Sequence, residues 1–204
     1  MANIELPMFP IRLQQARTVA DVNQPSNHPV VRIPDKSCYL RPEKEGYLYG
    51  YFDGNPVAYD LMRQSLAFST DEIAAPTNLI DEARTLLSPT LPILQSLAID
   101  EYRQGLITAT PDGAYVVGPA PGLPGIWIAT GCGAMGIAGS GAVGRWLANS
   151  ILTGDPGADL RALAVDRFGS RTADREWVCE ESRTTCSNYY ALNSATYSLG
   201  GVEN

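Results

Sequence analysis

The stretch Gly131-Cys132-Gly133-Ala134-Met135-Gly136-Ile137-Ala138-Gly139-Ser140-Gly141-Ala142-Val143-Gly144 decides how this chain is read. Its six glycines alternate with mostly small residues. It follows an apolar run, Ile126-Trp127-Ile128-Ala129, that reads as a buried strand, and it precedes a segment expected to be helical from Arg145 to Leu152. A backbone with so little side chain can approach a flat or charged ligand closely. Where such a loop opens a helix, several amide N–H groups converge on one point, backed by about half a positive charge. The same residues also suit a tight strand-to-helix packing turn, and the glycines alone leave both readings open.

Composition narrows the field around that stretch. At 204 residues and 45% hydrophobic, the chain can build a core, which argues against disorder. The formal net charge is −7 and no Lys/Arg-rich run occurs, so neither nucleic acid nor an anionic membrane surface is an expected partner. Cys38, Cys132, Cys179 and Cys186 do not fall at metal-ligand spacing, and the single histidine, His28, is far from them in sequence, so no metal site is expected. Free thiols in a reducing compartment are the expectation, although Cys179 and Cys186 could pair if oxidised. Glu5, Arg12 and Arg17 argue against a signal peptide, and no run reaches bilayer-spanning length. A soluble, cytoplasmic protein is expected. His28 lies in a turn-rich Gln-Pro-Ser-Asn-His-Pro stretch and reads as a loop histidine, which leaves none for Ser/His/Asp or Cys/His catalysis.

The first third reads as antiparallel β-structure: Leu13 to Val22, Val30 to Ile33, Ser37 to Arg41 and Gly46 to Phe52, joined by short turns. Between residues 71 and 97 the period changes. Ile80, Ala83, Leu86 and Leu87 recur at helical spacing, Ser69-Thr70-Asp71-Glu72 has the form of a helix start, and Pro89 and Pro92 interrupt. A strand follows from Glu101 to Ala109, then the turn Thr110-Pro111-Asp112-Gly113, a short strand Tyr115 to Gly118, and a Pro/Gly loop from Pro119 to Gly125. Gly154-Asp155-Pro156 stops the helix after the glycine stretch. Residues 171–204 are polar and mixed, with Asn188-Tyr189-Tyr190 as an apolar knot, and read as a tail or linker.

This order of features resembles the C-terminal half of the D-amino-acid-oxidase-like flavoenzymes, with the flavour of dimethylglycine and sarcosine dehydrogenases. Gly105 to Phe168 carries the resemblance most strongly, and weaker similarity reaches back through Cys38-Tyr39-Leu40-Arg41 to Leu6-Pro7-Met8-Phe9-Pro10-Ile11-Arg12. It implies an α+β fold. An antiparallel substrate-domain sheet with helices is expected over 1–110. The C-terminal strand–Gly loop–helix of an FAD-binding domain is expected over 111–170, and a tail over 171–204. Such enzymes begin with a strand, a Gly-x-Gly-x-x-Gly turn and a helix that hold the FAD pyrophosphate. Residues 131–136 match those letters, but no βαβ unit continues from them, so they are not read as that fingerprint. The expectation is a split enzyme: FAD is the cofactor, and a second polypeptide, whether a natural subunit or a cleaved half, carries the N-terminal Rossmann portion.

The resemblance also implies residue roles. Gly133, Ala134, Met135, Gly136, Ile137 and Ala138 would pass the pyrimidine side of the flavin, with the following helix aimed at the carbonyl where charge collects on reduction. No charged residue stands at Met135 to Ala138, where several oxidases of the family keep a basic one, which leaves a dehydrogenase, or oxygen activation by the partner chain, open. Cys132 reads as a core thiol rather than a flavin contact. Ile107 stands where glycine-oxidase-like members place an arginine for the substrate carboxylate. Tyr39, Arg41, Tyr49, Tyr51 and Ile107 are the candidate substrate residues, although Tyr47, Tyr49 and Tyr51 share one strand face and equally suit packing. The implied chemistry is oxidation of a C–N bond of a secondary or tertiary amine or N-methyl amino acid, with no catalytic base identified. The alternatives are a non-catalytic structural subunit of a flavoprotein complex, or oxidation of an alcohol or natural-product intermediate in the same fold.

Overall fold

In the computed structural model, which describes residues 4–25, 27–74 and 76–191, five strands form one antiparallel sheet. They are β1 (Phe9–Thr18), β2 (Val31–Ile33), β3 (Cys38–Glu43), β4 (Gly46–Tyr51) and β5 (Ile99–Ala109), in the spatial order β2-β3-β4-β1-β5. β1 begins before the expected Leu13 and ends at Thr18, where the register against β5 shifts. The alternation of side chains gives each face its own fate. On one face, Ala16, Cys38, Leu40, Tyr47 and Tyr49 pack against Ile80, Ala83 and Leu87 of α1 (Asn78–Leu87). Burying each large side chain of this layer contributes about 1.5–3 kcal/mol. Arg84 locks the connection to β5, donating to the carbonyls of Leu94 at 2.6 Å and Leu97 at 2.6 Å.

The helix is shorter than the 71–97 period suggests. Ser69 and Glu72 do form a reciprocal capping box, but it closes only one 3₁₀ turn, Thr70–Glu72. Pro76 then intervenes, and α1 starts at Asn78.

The other sheet face carries a second cluster: Ile11, Phe52 and Ala109 pack with Cys186 of α3 (Arg175–Ser187), flanked by Leu13, Tyr39, Ile107, Tyr189 and Tyr190. Residues 171–191, expected to belong to a tail, thus contain a helix that packs against β1 and β5. Asp174 caps it, accepting from Trp177 N–H at 3.0 Å. The remainder, 192–204, lies outside the described residues.

A separate hairpin of β6 (Val116–Pro119) and β7 (Trp127–Thr130) leads into α2 (Gly136–Thr153). The helix begins well before the expected Arg145, so Gly139, Gly141 and Gly144 are helical residues despite their low propensity. Gly154 ends it in a left-handed conformation, φ 76°. None of the helices among the described residues is long and apolar enough to cross a membrane. All four cysteines are free.

Candidate functional site

The turn between β7 and α2 is built from its glycines. Gly131, at φ 66°, adopts a backbone that favours glycine, and a Cβ there would lie 2.7 Å from Thr110. Gly133 N–H donates to the Thr108 carbonyl at 2.9 Å, which ties the turn to β5 beside Ile107. Cys132 points under the turn, its sulfur 3.2 Å from where a Gly136 Cβ would be, as a packed thiol. Gly133, Ala134 and Met135 occupy the turn, and Gly136, Ile137 and Ala138 form the first helical turn. The N-cap residue, Met135, makes no side-chain cap. Among the described residues, the amides of Ala134, Gly136, Ile137 and Ala138 have no acceptor. Ile137 is 96% exposed. The site therefore presents several amide donors and no competing side-chain charge, which suits a carbonyl-bearing or anionic group.

Two contacts brace this turn from below. Tyr115 OH donates to the Met135 carbonyl at 2.5 Å. Its ring fills the space beside Gly139, where a Cβ would come 2.1 Å from the hydroxyl oxygen, so any side chain there would have to displace the tyrosine. The Thr-Pro-Asp-Gly turn before Tyr115 is itself clamped. Arg167 donates from Nε and Nη2 to the two Asp112 oxygens, both at 2.8 Å, and from Nη2 to the Ala114 carbonyl at 3.1 Å. Asp112 also accepts from Ala114 N–H at 3.0 Å, and Thr110 OH donates to the Ala114 carbonyl at 2.8 Å. Bidentate geometry makes this clamp strong as well as directional.

The candidate substrate residues divide between the sheet faces. Tyr39, Arg41 and Ile107 lie on the face opposite α1, together with Leu13, Gln15 and Gly105. Tyr49 and Tyr51 lie on the α1 face: Tyr49 is 0% exposed, and Tyr51 packs against the same core. Tyr49 is therefore packing and is corrected as a substrate residue, while Tyr51 is half-buried beside it on the α1 face, away from Tyr39, Arg41 and Ile107. Strand period placed them on one face; which face α1 would cover was not written in it. Burial pushes the Tyr49 hydroxyl up to about 12, and its oxygen has no partner among the described residues.

On the opposite face, Gln15 Nε2 donates to the Tyr39 hydroxyl at 2.7 Å, and the Tyr39 ring lies over Gly50. Burial raises the Tyr39 hydroxyl above its ordinary value, so it is neutral and keeps its own proton to donate. The space above Gly105 is open. Arg41 is engaged by Glu43, which also receives Arg103 at 2.6 Å. Burial opposes ionisation of Glu43, but the two guanidiniums together hold its carboxyl below the usual range. Arg41 thus already has a carboxylate partner. Gln15 and Tyr115 escaped the sequence reading because neither sits in a motif; Tyr189 and Tyr190 were visible as an apolar knot, but their packing on Phe52, with ring centroids 4.1 and 5.3 Å away, was not.

Comparison with known proteins now fixes the class. The model of the FAD dependent oxidoreductase family matches residues 1–150. The chain belongs to that family. It is 30% identical over 191 residues to mitochondrial dimethylglycine dehydrogenase of Mus musculus, covering 84% of this chain and 21% of the relative. It is 26% identical over 196 residues to mitochondrial sarcosine dehydrogenase of Homo sapiens, covering 94% of this chain and 21% of the relative. A mitochondrial pyruvate dehydrogenase phosphatase regulatory subunit of Mus musculus is 28% identical over 156 residues, covering 75% of this chain and 17% of the relative. The fold matches the crystal structure of L-proline dehydrogenase from P. horikoshii with a TM-score of 0.66 at 20% identity, covering 82% of this chain and 42% of that one. The chain therefore spans about a fifth of the length of these two dehydrogenases and under half of that crystal structure. The family's cofactor is FAD, and the uncapped, uncharged turn at Gly133–Ala138 fits a flavin ring carbonyl.

Proposed function

We propose that this chain supplies the substrate-side sheet and the flavin-facing turn of an FAD-dependent enzyme that oxidises a C–N bond of an N-methyl amino acid or related amine. The observation that carries this reading is the Gly133–Thr108 hydrogen bond, 2.9 Å, which joins the amide-bearing turn to the strand that carries Gly105 and Ile107. When bound, FAD supplies the two-electron oxidation, and water hydrolyses the imine. The free amides of Ala134, Gly136, Ile137 and Ala138 orient the ring from its pyrimidine side. Tyr39, fixed by Gln15, donates its proton to a polar group of the substrate, while Leu13 and Ile107 exclude water. The neutral turn from Cys132 to Ala138 favours an acceptor other than oxygen.

The rest of the flavin site is assigned to a second polypeptide with the N-terminal Rossmann portion. α2 supports this: Ile137, Ile151 and Leu152 are 96%, 54% and 81% exposed, an apolar surface that packing against such a portion would bury. The four free thiols support a reducing compartment, with the cytoplasm as the proposed location. The test is affinity purification of the tagged chain, followed by flavin analysis and assay of dimethylglycine and sarcosine oxidation with formaldehyde as product. Recovery of a yellow complex that demethylates either amine is expected. A chain that binds FAD as a folded monomer would sink the two-polypeptide reading, and a flavin-loaded complex inert towards amines would sink the substrate class. The regulatory-subunit relative favours one second reading, a non-catalytic member of a complex; flavin-free complexes would support it.

A further inference from the structure

We propose that Tyr115 is a positioning residue for the flavin-facing turn, holding the first helical turn of α2 so that its free amides point at the ring. This rests on the reading of Gly133–Ala138 as the flavin contact. A helix end whose N-cap side chain makes no bond leaves its amides to a ligand, but nothing local then fixes their direction. Tyr115 supplies that restraint from outside the helix. Its hydroxyl donates to the Met135 carbonyl at 2.5 Å, the same carbonyl that accepts Gly139 N–H at 3.0 Å. Its ring occupies the space a Gly139 side chain would need, so the turn is held through its backbone on the side away from the exposed Ile137.

The restraint is rigid because of where Tyr115 stands. It directly follows the turn that Arg167 clamps through Asp112 and the Ala114 carbonyl, and it directly precedes the buried Val116 and Val117. Cys132 beneath Gly136 and the Gly133–Thr108 bond fix the other side of the same turn. Tyr115 acts through Met135.

The test compares Tyr115→Phe, Gly139→Ala and Ala134→Asp in the flavin-loaded protein. Tyr115→Phe keeps the ring and removes the hydroxyl. Gly139→Ala keeps the hydroxyl and displaces the ring. Ala134→Asp puts a like charge on the exposed turn. FAD affinity, flavin midpoint potential and the melting point of the flavin-free chain are measured for each. Tyr115→Phe is expected to weaken FAD binding about tenfold, the scale of one lost hydrogen bond to a positioned group, and to make the potential more negative. The flavin-free melting point should stay at the wild-type value. Gly139→Ala should move affinity and potential in the same direction. Wild-type affinity and potential in both variants, with Ala134→Asp abolishing binding, would overturn the role of Tyr115 while leaving the turn as the flavin contact. Wild-type binding by Ala134→Asp would overturn the contact itself. A Tyr115→Phe chain that melts early without flavin, at unchanged potential, would reduce Tyr115 to packing.

Discussion

α1 and α2 are handled differently by the same chain. α1 is ten residues long, carries Asp81, Glu82 and Arg84, and still buries Ile80, Ala83 and Leu87 under the sheet. α2 is eighteen residues long and far more apolar, yet Ser150 is its one fully buried residue among those described. Apolar content does not decide burial; a complementary face does. α1 has such a face in β1, β3 and β4. Among the described residues α2 packs chiefly on the small β6–β7 hairpin, and its remaining surface is the one proposed above to meet a second polypeptide.

Substitution should separate the two helices. Leu87→Ala empties a site that is 1% exposed and should cost about 2–5 kcal/mol in urea unfolding of the chain. Leu152→Ala, at 81% exposure, should stay within about 0.5 kcal/mol in the same experiment but weaken recovery of the partner. Equal losses from the two would break the contrast.

The next effect tests the hairpin region. Arg167→Met removes charged hydrogen bonds from a side chain that is only 7% exposed, and should cost about 1.5–3 kcal/mol by denaturant titration. A loss no larger than that of Leu152→Ala would show that the Thr-Pro-Asp-Gly turn holds without its clamp.

Alkaline pH should act on buried groups of both sheet faces, Cys38 and Tyr49 under α1 and Cys186 under α3. Burial pushes Cys38 and Cys186 up to about 11 and Tyr49 up to about 12, from ordinary values of 9.0 and 10.0. The folded state binds these protons more tightly than the unfolded chain. Their contribution is therefore complete below the unfolded values and declines as pH rises from about 9 towards 12. Tyr49→Phe should flatten the part above pH 10 and leave neutral stability equal or higher, since the buried hydroxyl has no partner to lose among the described residues. Thermal melts across that range are the check.

A small stability change is expected on the sheet face opposite α1. Gln15→Leu should shift unfolding by under about 1 kcal/mol. In the flavin-loaded enzyme it should raise KM severalfold, because Tyr39 loses its 2.7 Å donor. An unchanged KM would remove Tyr39 and Gln15 from the substrate site.

Much of the fold is legible in particular residues. The period-two tyrosines placed β4, the Gly46 start of that strand matched, and Ile80, Ala83 and Leu87 named the buried stripe of α1 before its partner was known. The beginning of α2 was not legible, because glycine propensity argues against a helix at Gly136–Gly144 and only Tyr115 explains Gly139. Of the candidate substrate residues, Tyr39, Arg41 and Ile107 share the face opposite α1 but stand in different rows of the sheet, Arg41 level with Glu101 and Ile107 level with Ile11, while Tyr49 is buried on the α1 face and Tyr51 half-buried beside it.

The sequence by itself determined the strand pattern, the amphipathic α1, the turn at Thr110–Gly113 and the family to which the glycine stretch belongs, because each is encoded by neighbours along the chain. The tertiary structure alone decided which sheet face α1 seals, that Gln15 meets Tyr39, that Arg167 holds Asp112, and that Tyr115 braces the turn at Met135. These are contacts between residues far apart in sequence or across the two sides of a turn. Their partners are selected by packing in three dimensions, which no local pattern records.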